Sequence, residues 1–356
     1  MYKKLYGIMS LVLAAGLFTG CSNGSLSKGV EYVTESEDSA KSTDGISIET
    51  VEKTEETVEE TANEASSSSS SSSDAATTET SVSGEEAVAK ENENSSDDRI
   101  QVVFLGDSQF ANGRDEGTDI ATYTGWMTGA NVYNLGVGGS CASITTGDSY
   151  DEGYVTNAFI NIVNVLAGNA SVDTISNEYV HEHISDIDVE NVDYYVIEYG
   201  YNDYMSKHPQ ADELAAYDVH LYVDALRNGI DILKEISPDA KIILCCPSYC
   251  LVYDVNGQYL GDSNMTDLGY GTLSDYVDSC KALAEGLGLI YIDAYYGSEF
   301  DLNAYTIDDY TIDGLHFDQK GRYIYATVVS HYINKDLGVD TEELDTIIFN
   351  RFEYNG

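Results

Sequence analysis

Residues 100–108 read Ile-Gln-Val-Val-Phe-Leu-Gly-Asp-Ser, and this stretch decides how the chain folds. Its short apolar run predicts a buried strand over residues 99–105, and the glycine that follows predicts a sharp turn. Asp107 and Ser108 then lie directly after the carboxyl end of that strand. Sites in open parallel sheets form at the carboxyl ends of strands. The sequence therefore puts a serine where a functional site is expected.

The rest of the domain repeats this pattern of apolar runs stopped by glycine, proline or aspartate. Four more strands are predicted, over residues 130–135, 192–199, 241–246 and 287–292. Apolar residues recur at helical spacing in residues 217–236, 274–287 and 319–333. Alternating strands and helices form a parallel sheet with right-handed crossovers. We therefore predict an α/β fold, a three-layer α/β/α sandwich around a five-stranded parallel sheet.

Four short blocks carry side chains suited to acyl transfer. They are Gly106-Asp107-Ser108, Asn134-Leu135-Gly136-Val137-Gly138-Gly139, Gly200-Tyr201-Asn202-Asp203 and Asp313-Gly314-Leu315-His316. The first three directly follow predicted strands. A serine hydroxyl becomes a nucleophile when a base such as histidine removes its proton, and a carboxylate three residues before that histidine can orient the imidazole. Backbone and amide N–H groups can stabilise the oxyanion. Together the blocks predict a serine esterase.

In this order the blocks resemble those of the SGNH (GDSL) hydrolase family, over roughly residues 100–335. The resemblance implies a flavodoxin-like fold of the SGNH type without a metal or an organic cofactor. It assigns Ser108 as the nucleophile and Asp313 with His316 as the other members of the triad. The implied oxyanion hole consists of the Ser108 N–H, the Gly139 N–H and the Asn202 side-chain amide. Gln109 replaces the leucine that names the motif, at a position that usually varies without loss.

The first 99 residues are predicted to lie outside the folded domain. Lys3, Lys4, the apolar residues 8–18 and the small residues before Cys21 indicate a secretory signal over residues 1–20. A cysteine at this boundary resembles a bacterial lipobox, although an ordinary signal peptide with a chance cysteine is the alternative. Residues 21–99, with a serine run at 66–73, are predicted to be a disordered tether. We expect a lipoprotein anchored at Cys21 on the outer face of a membrane, with one hydrolase domain over residues 100–356.

The net charge of the predicted domain limits the partners and substrates that it is expected to bind. Residues 100–356 contain 42 acidic and 10 basic residues, a net charge of −32. This balance disfavours nucleic acid and strongly anionic substrates, and it favours neutral esters such as acylated glycans. The acidity is equally compatible with a role in keeping a secreted protein soluble.

Other reactive side chains carry weaker predictions. Asp107 and Asp203 are expected to be structural. Most of the five cysteines in the domain are expected to be unpaired, and a disulfide bond from Cys246 or Cys250 to Cys280 is left open. His181 and His183 are expected on a solvated face, and His208, His220 and His331 have no evident partner. A set of tyrosines could form a sugar-stacking rim but is better explained as half-buried sheet and surface residues: Tyr201, Tyr204, Tyr249, Tyr253 and Tyr270.

The function predicted from the sequence is an extracytoplasmic serine esterase. It would hydrolyse carboxylic esters, O-acetyl esters of carbohydrate first among them, through an acyl-serine intermediate. A short-chain lipid or general esterase, an O-acyltransferase with the same triad, and a noncatalytic glycan-binding lipoprotein remain alternatives. The long segments 140–190 and 249–272 are expected to wall the substrate pocket.

Overall fold

The computed structural model describes residues 99–145, 156–212, 217–254, 256–297, 299–339 and 344. The predicted signal peptide, Cys21 and the tether as far as residue 98 lie outside the described residues. Among the helices of the described part, none has the length and hydropathy needed to cross a bilayer.

A five-stranded parallel sheet forms the centre of the domain. The strands of this sheet are β1 (Gln101–Gly106), β2 (Asn131–Asn134), β3 (Tyr194–Glu198), β4 (Lys241–Cys245) and β7 (Ile290–Ile292). They lie in the order β2-β1-β3-β4-β7, and all neighbouring pairs run parallel. This confirms the predicted α/β fold and its five-stranded parallel sheet.

Helices connect the strands and pack in two groups, α2 with α8, and α6 with α3 and α7. The apolar residues of β1 and β3 are fully buried between them, as a sheet covered on both faces requires. The helices are α1 (Ser108–Ala111), α2 (Ile120–Thr128), α3 (Phe159–Leu166), α4 (Glu178–His183), α5 (Tyr201–Met205), α6 (Tyr222–Ile236), α7 (Leu273–Leu287) and α8 (Gln319–Asp336).

Most element boundaries differ from the predictions by a few residues, and two of these differences have a clear cause in the backbone. Helix α6 begins at Tyr222 rather than at residue 217, because Tyr217 has a φ of +74° that no α-helix accommodates. Strand β7 begins at Ile290 rather than at residue 287, because α7 continues to Leu287 and Gly288 ends it with a φ of +64°. Both corrections come from left-handed backbone positions that apolar periodicity does not reveal.

A two-stranded antiparallel hairpin was not predicted. It consists of β5 (Leu251–Tyr253) and β6 (Tyr259–Asp262), inside the long segment 249–272. The Leu251 N–H donates to the Gly314 carbonyl oxygen at 2.8 Å, so the hairpin is joined to the block that contains Asp313 and His316. This part of the predicted pocket wall therefore borders the candidate site.

All five cysteines of the described residues are free, so the pairing left open for Cys280 is not formed. Four of them are buried, and Cys141 is partly exposed. Buried thiols of this kind behave as small apolar side chains.

Candidate functional site

Ser108 lies at the turn between β1 and α1. The Asp107 side chain caps α1 by accepting the Gln109 N–H at 2.9 Å. Gly106 permits this turn, because a Cβ there would lie 2.5 Å from the Phe110 ring. As the first residue of α1, Ser108 also has a backbone N–H without an intrahelical acceptor. The local sequence thus projects the hydroxyl from the end of the central strand.

The structure brings Ser108, His316 and Asp313 into one hydrogen-bonded chain. The Ser108 hydroxyl donates to His316 Nε2 at 2.9 Å, and His316 Nδ1 contacts Asp313 Oδ2 at 2.8 Å. Asp313 Oδ1 also accepts the backbone N–H groups of His316 and Leu315. The carboxylate therefore holds the proton on Nδ1 and leaves Nε2 free to accept the serine proton.

His316 and Asp313 have opposite pKa shifts. Burial lowers the pKa of His316, but the hydrogen bond and charge of Asp313, with the charge of Asp107, raise it by more. Burial raises the pKa of Asp313, but hydrogen bonds from His316 and Leu315 bring it below its usual range. Asp313 is therefore ionised at neutral pH, and the protonated imidazolium is stabilised.

Gln109 joins the two halves of the site. Its Nε2 donates to the Leu315 carbonyl oxygen at 2.9 Å, and its Oε1 accepts the Phe317 N–H at 3.3 Å. These residues flank His316 on both sides. The family resemblance implies that position 109 varies without loss, but a leucine could make neither hydrogen bond in this chain, so we expect its substitution to be costly here.

Gly139 lies in the loop that follows β2. This loop is bound to the end of β1 by the Val137 N–H, which donates to the Gly106 carbonyl oxygen at 2.9 Å. A Cβ added to Gly138 would lie 3.9 Å from the Ser108 Cβ, so the loop passes beside the serine. Gly139 itself has a φ of +78° and open space where a Cβ would be. Its backbone conformation, rather than a close approach, is what requires glycine.

Asn202 lies in the first turn of α5. Gly200, with a φ of +135°, starts the turn, and a Cβ there would lie 2.7 Å from the Tyr222 hydroxyl. The Asn202 Nδ2 donates to Asp107 Oδ2 at 2.9 Å. A side-chain amide has two N–H bonds, so the second can point toward an oxyanion beside Ser108.

Asp203 and His208 form a buried network beside the site. Asp203 accepts the N–H groups of Ala142 and Ser143 and the Ser143 hydroxyl, which also contacts His208 Nδ1 at 2.7 Å. Asp203 therefore anchors the loop after Gly139 to α5. Cys141, Asp203 and His208 lie close enough to share a metal ion. The Ser143 hydroxyl already occupies the space between the carboxylate and the imidazole.

The remaining histidines and tyrosines lie as follows. His181 and His183 are exposed and face Asp173 and Asp186, and His220 contacts Asp218. Tyr204 and Tyr249 are buried and therefore cannot form a rim. Tyr201 and Tyr253 are partly buried, and Tyr270 is exposed.

Comparisons with known proteins identify the family and the fold. A family model described as the GDSL-like lipase/acylhydrolase family matches residues 104–324. One solved structure has a TM-score of 0.50 at 20% identity and covers 67% of this chain and 97% of its own, which shows the fold alone. A possible lipase from Chitinophaga pinensis has a TM-score of 0.46 at 17% identity, covering 68% of this chain and 100% of its own. A carbohydrate acetylesterase from Sinorhizobium meliloti has a TM-score of 0.42 at 14% identity, covering 67% and 99%. Comparison with curated proteins gave no match.

Proposed function

Because the chain belongs to the GDSL-like lipase/acylhydrolase family, we propose that it is a serine esterase that hydrolyses carboxylic esters. The observation that carries the proposal is the continuous chain of contacts from the Ser108 hydroxyl through His316 to Asp313. A serine that only begins a helix needs no imidazole 2.9 Å from its oxygen.

The mechanism follows from this geometry. His316 Nε2 removes the Ser108 proton as the oxygen attacks the ester carbonyl. The negative oxygen of the tetrahedral intermediate is stabilised by the Ser108 and Gly139 N–H groups and by the free N–H of Asn202. His316 then gives its proton to the leaving alkoxide, and an acyl-serine remains. A water molecule, deprotonated by the same imidazole, attacks the acyl group and releases the carboxylic acid and Ser108.

A fluorophosphonate probe tests the proposal. The wild-type chain should be labelled in proportion to its folded fraction, and Ser108→Ala should lose all labelling. Ser274→Ala is the matched control, because that hydroxyl contacts Thr272 and no residue of the candidate site. Absence of labelling on the folded wild-type chain, or labelling that persists in Ser108→Ala, would refute the proposed nucleophile.

We infer that the substrate is a neutral O-acylated, in particular O-acetylated, carbohydrate. The net charge of −32 over residues 100–356 repels anionic substrates. Tyr253 and Tyr259 pair with ring centroids 5.6 Å apart on the hairpin that is bonded to Gly314. Tyr253 is the last residue of β5, the strand whose Leu251 N–H donates to the Gly314 carbonyl oxygen, and burial with the charge of Asp308 raises its pKa. An aromatic pair in this position suits stacking against a sugar ring.

A substrate comparison tests this inference. Acetylated xylo- and cello-oligosaccharides should give a higher kcat/KM than p-nitrophenyl esters of increasing chain length. Tyr259→Ala should raise KM for the oligosaccharides and leave KM for p-nitrophenyl acetate unchanged. A preference that rises with acyl chain length would instead identify a lipid esterase.

We further propose that the enzyme acts outside the cytoplasm, anchored by a lipid on Cys21. The support is the basic, apolar and small-residue sequence that ends at Cys21. If residues 22–99 form a random coil, their root-mean-square span is about 50 Å, enough for the domain to work at a distance from the membrane. Labelled palmitate should be incorporated by the wild-type chain and not by Cys21→Ala. Equal incorporation, or none in either, would contradict the anchor.

A further inference from the structure

A second buried carboxyl group, that of Glu198, lies behind the candidate site. Glu198 is the last residue of β3 and pairs in register with Gly106, the last residue of β1. Both Glu198 and Asp107 are 1% exposed. The strand register therefore brings Asp107 and Glu198 together at the ends of β1 and β3, and a hydrogen bond between their carboxyl groups is among the causes that shift both pKa values. The proposed mechanism does not use Glu198, and a buried charge at this point would be costly.

The contact requires a proton between the two groups. An ionised carboxylate only accepts hydrogen bonds, so two ionised carboxylates cannot bond to each other. Glu198 Oε2 is buried and has no hydrogen-bond partner among the described residues. In the part of the chain that the structure describes, the ionisable groups that interact with Glu198 are Asp107, Tyr199, Tyr325, Cys245 and Cys280, and none of these is a cation.

The proton belongs to Glu198 rather than to Asp107. Burial and the neighbouring Asp107 charge raise the pKa of Glu198 well above its usual range. Burial also raises the pKa of Asp107, but hydrogen bonds from Gln109 and Glu198 and the charge of His316 limit it to about 6. The other ionisable groups that face Asp107 are Asp203, Tyr199, Tyr201 and Cys141. At neutral pH the pair therefore carries one negative charge, on Asp107.

We propose that protonated Glu198 is a positioning residue, whose hydroxyl donates to the Asp107 carboxylate and so holds the Asn202 amide in place. Asp107 Oδ2 accepts Asn202 Nδ2 at 2.9 Å, and Asp107 Oδ1 accepts the Gln109 N–H at 2.9 Å. The hydrogen bond that Asn202 donates to Asp107 fixes which way the amide points and leaves its second N–H for the oxyanion. Without the donor on Glu198, Asp107 takes up a proton more readily. A protonated Asp107 holds Asn202 less firmly.

This proposal rests on the proposed esterase function, because Asn202 matters for turnover only if it stabilises an oxyanion. Glu198→Gln keeps a donor for Asp107 and should retain kcat within about threefold. Glu198→Leu removes the donor and should lower kcat about tenfold or more with little change in KM, as expected when a transition-state donor is misplaced. Asp224→Leu is the matched control: it removes a buried carboxyl on α6 that faces Arg227, and kcat should stay unchanged.

A double-substitution cycle identifies the route of the effect. If Glu198 acts through Asn202, Glu198→Leu should have no further effect on kcat in a chain that already carries Asn202→Ala. An equal loss of kcat in both backgrounds would overturn the proposal, because Glu198 would then act elsewhere. If Asn202→Ala alone leaves kcat unchanged, it is the oxyanion role in the proposed function that fails.

Infrared difference spectroscopy tests the proton without using activity. The spectrum of the wild-type chain minus that of Glu198→Gln at neutral pH should contain the carbonyl band of a buried carboxylic acid. This nearly isosteric variant should fold even if Glu198→Leu does not. A difference spectrum with only carboxylate bands would refute a protonated Glu198, whatever the esterase assay shows.

Discussion

Replacing Gln109 by leucine, the residue that names the family's first block, should damage this enzyme. The substitution removes two hydrogen bonds, one to the Leu315 carbonyl oxygen and one from the Phe317 N–H. Each buried group left unpaired costs about 1–3 kcal/mol, with Leu315 at the lower end because it is only half-buried. The buried leucine side chain offsets part of this loss. We expect the free energy of unfolding to fall by about 1–2 kcal/mol.

Thermal unfolding measures the effect of this substitution on stability, and steady-state hydrolysis measures its effect on catalysis. For a domain of this size, the loss corresponds to a Tm about 2–8 °C lower. Because the broken bonds flank His316, kcat should also fall about tenfold, since small displacements of catalytic groups are costly.

A matched variant separates stability from catalysis. Gln210 also makes two side-chain hydrogen bonds, to the Tyr270 carbonyl oxygen at 2.7 Å and from the Ser279 hydroxyl at 2.6 Å. Gln210→Leu should lower Tm and leave kcat unchanged. If the Gln109→Leu variant has a lower Tm but hydrolyses substrate at the wild-type rate, Gln109 does not position His316.

Three further predictions concern the oxyanion donors and the base. Asn202→Ala should lower kcat about 10²–10³-fold without a matching change in KM, measured by steady-state kinetics. Because Gly139 has a φ of +78°, Gly139→Ala should lower the free energy of unfolding by about 1–2 kcal/mol, and it should also lower kcat. Gly129 is the control: it has a φ of +74° and equally open space, and Gly129→Ala should lower stability only. The His316 imidazole works as a base only when it is neutral, and its pKa is raised. The value of kcat/KM should therefore fall as the pH is lowered, with a midpoint above about pH 6.5. A midpoint below that pH would contradict the Asp313 contact.

The sequence alone was sufficient to predict the five-stranded sheet and the contacts that link Ser108, His316 and Asp313. Buried strands of a parallel sheet read as continuous apolar runs, so periodicity and the stopping residues located all five. Parallel strands place their carboxyl ends on one edge, which is why blocks far apart in the chain could be expected to meet.

The supporting contacts could not be found in the same way. Glu198 interrupts an apolar strand, and only the register of Gly106 with Glu198 shows that its neighbour is Asp107. Gln109 bonds to residues more than 200 positions away, which no local pattern reveals. His208 had no evident partner in the sequence because the Ser143 hydroxyl that it contacts lies on a different loop. The hairpin of β5 and β6 has strands of only three and four residues, too short for alternation to be recognised.

If Ser108 is the nucleophile, it becomes acylated during turnover. The most direct measurement is rapid acid quenching of the full chain with p-nitrophenyl acetate, followed by mass spectrometry of its peptides. We expect one acetyl group on the peptide that contains Ser108, formed at a rate no slower than turnover and absent in Ser108→Ala. Hydrolysis by the folded chain without an acetyl group on that peptide would contradict this role of Ser108.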